Sequence, residues 1–108
     1  MGARLVVKFS NEAMVYLHNG GEYAADVRET LDEFFGELAS VNDKRLADAP
    51  YLAAKFLVWA AGKGTRGVNP LEFLSVGIVN DAGYGDAVAY VPCDGTTNYS
   101  IEKSLDND

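Results

Sequence analysis

The sequence predicts one α+β domain over residues 1–103, followed by a short, flexible acidic tail over residues 104–108. Three observations lead there. Apolar residues alternate with a period of two near the N-terminus, recur every three or four positions between Glu22 and Val41, and return in short β-rich runs after residue 70. Those are the periods of strands, a helix and strands again. A chain of 108 residues that is 48% hydrophobic and 23% charged is an ordinary globular composition with room for a single core. Gly, Asn, Asp and Pro fall between the periodic segments, where turns are required.

The first run places Leu5, Val7 and Phe9 on one face and Arg4, Val6, Lys8 and Ser10 on the other, as a half-buried strand does. Ser10-Asn11-Glu12 supplies turn chemistry, and a second β-like run through Val15, Tyr16 and Leu17 ends at Asn19-Gly20-Gly21. The opening therefore reads as a β-hairpin. From Glu22, the stripe Val27, Leu31, Phe34, Leu38 and Val41 defines one amphipathic helix with its apolar face toward the core. Its opposite face carries Glu22, Asp26, Glu29, Glu33 and Glu37. That face is read as solvated, with docking of a basic protein partner as the functional alternative.

Pro50 ends a polar connection, because its ring disfavours helical geometry at the residue before it. The run from residue 51 to 61 admits two structures. A strand puts Leu52, Ala54, Phe56 and Val58 on one face and Tyr51, Leu57 and Trp59 on the other. A helix is supported by four Ala, two Leu and Lys55, with Gly62 as a stop. The strand is preferred, since Phe56, Val58 and Trp59 cluster and strand-like partners follow; the helix is the alternative. "LEFLSVGIV" at residues 71–79, "AVAYV" before Pro92 and "TNYSIEK" then complete a sheet of three or four antiparallel strands. In element order alone, a helix followed by short strands also resembles a small Sm-like barrel, although no sequence motif accompanies the likeness.

Charge narrows the function. A formal net charge of −7 repels phosphate backbones, and the nine basic residues form no dense patch, so nucleic acid is disfavoured as a partner. No apolar run approaches the roughly 20 residues that span a bilayer. Cys93 is the one cysteine, so no intrachain disulfide forms; with no signal-like apolar region in "MGARLVVKFS", a cytoplasmic location is expected. A small, buried or half-buried, unreactive thiol is the expectation for Cys93.

"GKGTRG" fits the Gly-x-Gly-x-x-Gly spacing of a dinucleotide loop through Gly62, Gly64 and Gly67. That chemistry also needs a helix after the loop, and Val76, Gly77, Ile78 and Val79 soon favour a strand instead. The glycines are read as structural, in a hairpin loop. His18 is the only histidine, which excludes metal sites and triads built on several imidazoles. Asn80, Asp81 and Asp86 lack the spacing of a calcium loop. No metal and no cofactor are expected. The leading expectation is a non-catalytic interaction or assembly domain, a homo-oligomer. The alternatives are a small-molecule binder or minor enzyme, with a pocket of Tyr51, Trp59, Tyr84 and Tyr90 anchored by Glu72 or His18, and single-stranded nucleic-acid binding through exposed aromatics.

Overall fold

The computed structural model describes residues 4–18, 21–41, 45–64 and 76–106. The hairpin is β1 (Arg4–Phe9) and β2 (Ala13–His18), followed by α1 (Ala24–Ser40), α2 (Ala49–Gly64), β3 (Val76–Val79), a 3₁₀ turn (Ala82–Tyr84), β4 (Ala87–Val91) and β5 (Ser100–Lys103). The strands form one open sheet in the order β3-β2-β1-β4-β5. Three pairings are antiparallel, whereas β1 and β4 run parallel, with Leu5 opposite Ala87 and Phe9 opposite Val91. The hairpin and the three strands that follow the helices, within the expected three or four, thus join in one mixed, open sheet; the antiparallel expectation fails only at the β1–β4 pair, and the sheet is not a closed barrel. Periodicity shows that a segment is a strand but carries no information about its neighbour. The parallel pair is possible because β2, α1, α2 and β3 together form the long crossover it requires.

The run from residue 51 to 61 is helical, so the preferred strand assignment was wrong. Ala49, Leu52, Ala53, Phe56 and Ala60 are buried, at steps of three, one, three and four, which is the helical period. Asp48 is the N-cap: its carboxylate accepts from Tyr51 N at 3.2 Å, and its carbonyl accepts from Leu52 N at 2.9 Å. Pro50 therefore stands in the first helical turn, where a missing N–H costs nothing.

Leu5, Val7 and Phe9 of β1, Val15 of β2 and Ala87, Ala89 and Val91 of β4 meet Val27, Leu31 and Phe34 of α1 and Leu52 and Phe56 of α2 in one core. Phe34 and Phe56 pack edge-on with centroids 5.1 Å apart. The predicted α1 stripe is buried through Leu38, but Val41 is 71% exposed, because α1 ends at Ser40 and Val41 is its C-cap. Asp26, Glu29, Glu33 and Glu37 on the opposite face are exposed. At the N-terminus of α1, Ala24 N donates to Asp106, and Leu105 N donates to Glu22 O at 2.8 Å. Ser104 is buried and donates to Asp106 at 2.6 Å. Asp106 thus places a carboxylate at the positive end of the α1 dipole; residues 107–108 lie outside the described residues.

The other face of the sheet is covered only in part. From β3 the chain crosses it through residues 80–86, and Gly85 lies against Val6, where a Cβ would meet Ala87 O at 2.6 Å and Val6 Cγ2 at 3.0 Å. Glycine is the residue that permits this close approach. Among the described residues, no helix is long and apolar enough to cross a membrane.

Candidate functional site

Tyr16 and His18 are two apart in β2 and therefore share a face, the one that residues 80–86 cross. Tyr16 Oη and His18 Nδ1 are hydrogen-bonded at 2.8 Å. The Tyr84 ring stands edge-on to Tyr16 at 5.2 Å, and the Arg4 guanidinium lies 5.3 Å from the Tyr84 centroid. Arg4 is directly opposite His18 in the hairpin register. Asp86 accepts from Arg4 N at 3.1 Å and pairs with Arg4 Nε at 3.6 Å. The backbone N–H of Arg4, then the Arg4 charge and that of Lys103, hold the Asp86 carboxyl below its ordinary value. Tyr84 is half exposed and lines an open cleft of about 540 Å³ with Ile78, Val79, Asn80 and Asp81. This arrangement can stack and hydrogen-bond a ligand.

The aromatic residues proposed from sequence do not converge. Tyr51 lies on α2 with the Arg45 guanidinium 3.9 Å and the Lys55 ammonium 5.2 Å from its ring centroid. Trp59, two turns along the same helix, packs on Phe34 and Phe56 and donates from Nε1 to Glu37 at 2.7 Å. Tyr90, paired with Lys8 across β4 and β1, lies on the face away from the helices, as do Tyr84 and His18. The sheet therefore separates Tyr51 and Trp59 from the other three. Glu72 and Gly67 lie outside the described residues. Gly62 and Gly64 belong to the last turn of α2, so "GKGTRG" begins in a helix, neither in a hairpin loop nor after the strand that a dinucleotide site needs.

Cys93 is half-buried, with Sγ donating to Val91 O at 3.5 Å. Burial, and then the nearby charges of Glu12, Asp94 and Asp48, push its thiol up, away from the thiolate form that reacts. Asp81 is engaged in capping the 3₁₀ turn, accepting from Gly83 N at 2.9 Å. Among the described residues, no three His, Cys, Asp or Glu side chains are grouped to hold a metal ion. On the partly covered sheet face Arg4 pairs with Asp86 and Lys8 with Glu102 at 2.9 Å, while Lys103 Nζ donates to the Gly85 carbonyl at 3.0 Å. A phosphate backbone would have to compete with both carboxylates.

Two apolar features were missed in sequence. An open groove of about 260 Å³ lies between α1 and α2, walled by Leu38, Val41, Val58 and Trp59. The second is β3, one of the two sheet edges. Its residues Val76-Gly77-Ile78-Val79 carry no charge, and Ile78 is 68% exposed. The opposite edge, β5, has Glu102 and Lys103, a register irregularity against β4, and a tie to α1 through Tyr99 Oη, which donates to Asp32 at 2.7 Å. The contrast between "VGIV" and "SIEK" is visible in the letters, but which strands are edges is not. Comparison with protein-family models, curated proteins and solved structures finds no match.

Proposed function

We propose that this chain is a non-catalytic interaction or assembly domain that self-associates, working from a cytoplasmic location. The observation that supports it is the inequality of the two sheet edges. An edge strand presents unpaired N–H and C=O groups to any approaching chain, and natural sheets blunt that edge with charge, bulges or covering elements. The β5 edge carries such devices and β3, among the described residues, does not. The acidic face of α1 offers a second surface, suited to a basic protein partner. Sedimentation equilibrium on the intact chain tests self-association directly. A single monomeric species at all concentrations, together with no protein retained on the immobilised chain, would refute the proposal.

The cleft beside Tyr84 favours a second reading, binding of a small molecule. Its wall is apolar at Ile78, Val79 and Tyr84, with the Asn80 amide and the Asp81 carboxylate as polar groups. The expected ligand has an apolar or aromatic body and a hydrogen-bond-donating or cationic end. A thermal-shift screen of amines and metabolites, with Tyr84→Ala as the control, separates the two: stabilisation of the wild type alone would favour the cleft.

A further inference from the structure

Resting on the self-association proposed above, we infer that two copies of this chain join along β3, antiparallel and about a two-fold axis beside Gly77, so that the sheet runs continuously through both. Closed dimers use the same patch on each subunit, so the patch must complement itself. An antiparallel strand pair does this without special side chains, because its donors and acceptors alternate identically from either end. Centring the pair on Gly77 sets Val76 of each copy opposite Ile78 of the other. Both side chains are on the helix-covered face, since Ile78 pairs with core residue Val15 and Val76 with Leu17. The side chain most exposed along this edge is thereby covered twice over.

Charge selects a second copy as the occupant. Each chain carries −7, so two copies repel through most of their surfaces. The β3 strand has no charged side chain, and a mate with the same strand brings none against it. Like charges directly opposite in a pair are destabilising, and a basic or acidic peptide finds no counter-charge within this strand. Above Gly77, none of the described residues lies within 4 Å of where a Cβ would be. The two Gly77 residues can therefore face each other without a clash. A four-residue edge makes a small interface, and the dimer is accordingly weak and reversible, in the micromolar range or weaker.

The test uses the full chain. In sedimentation equilibrium from micromolar to millimolar concentration, wild type forms a dimer, and Ile78→Lys raises its dissociation constant by about tenfold or more. At concentrations low enough for both to be monomeric, its circular dichroism and melting temperature stay those of the wild type, since Ile78 is exposed in the single chain. In a Cys93→Ser background, Gly77→Cys places two thiols opposite each other at the roughly 4.4–6.8 Å Cα separation that disulfides span. Mild oxidation should give a covalent dimer, and Ser100→Cys on the β5 edge should give none. A wild-type dimer that Ile78→Lys leaves intact, or equal cross-linking at both edges, refutes the β3 interface while leaving self-association standing. A wild type that stays monomeric throughout refutes both.

Discussion

Leu31 of α1 is fully buried, within a core cluster that also holds Val27, Phe34, Leu52 and Phe56. Its replacement by Ala removes three carbons from a packed site, and the expected cost is about 2–5 kcal/mol. Urea denaturation followed by circular dichroism measures it; a loss below about half a kcal/mol would show that the site is not tightly packed. Tyr99 tests a different physics. Burial first, and then the hydrogen bond and charge of Asp32, push its pKa from 10 to about 12. The folded state therefore holds the phenolic proton more tightly than the unfolded chain does. The associated stability is complete below about pH 10, the unfolded value, and is lost as pH rises through about 12. Tyr99→Phe should be less sensitive to pH across that window than wild type, and equal slopes in the two proteins would refute the assignment.

At the scale of elements, α1 was legible because its stripe and its acidic face agree on one period. The α2 helix was not. Apolar residues occur on nearly all sides of "YLAAKFLVWAA", and a helix rich in apolar residues has little period to distinguish it from a strand buried on both faces. Asp48 followed two positions later by Pro50 was the better signal, a cap and a first-turn proline, read instead as a break. The candidate site was legible only in pieces. His18 and Tyr84 were named from sequence, whereas Tyr16, which bridges them, was taken as part of a strand. The contact between β2 and the 3₁₀ turn joins residues far apart in the chain, and no local spacing encodes it. Helix propensity gives an independent check on α1. Gly36 lies mid-helix and exposed, with none of the described residues beyond its own helix backbone and chain neighbours within 4 Å of a Cβ placed there. Gly36→Ala should stabilise the protein by about 0.5–1 kcal/mol, chiefly by lowering the backbone entropy lost on folding. A destabilised variant in thermal melts would mean that the glycine serves a packing or binding role.

For the whole molecule, charge and the sheet edge act in opposite directions. Bringing two chains of −7 together costs repulsion that falls as salt screens it, over a Debye length of about 10 Å at 0.1 M and about 3 Å at 1 M. An edge-to-edge contact made by Val76, Gly77, Ile78 and Val79 contains no ion pair for salt to weaken. Added NaCl should therefore strengthen the dimer, its dissociation constant falling steadily from low to high ionic strength. Sulfate should strengthen it more than chloride at equal ionic strength, because sulfate also favours apolar burial. A contact through the groove between α1 and α2 would respond differently, since Glu37 and Lys55 line it and could pair across copies. Such pairs would weaken on screening, and Lys55→Ala would loosen the association while Ile78→Lys would not. The sign of the salt dependence, measured beside those two variants, thus decides which surface joins the copies. A dissociation constant that rises with salt would rule out an uncharged β3 edge as the main contact.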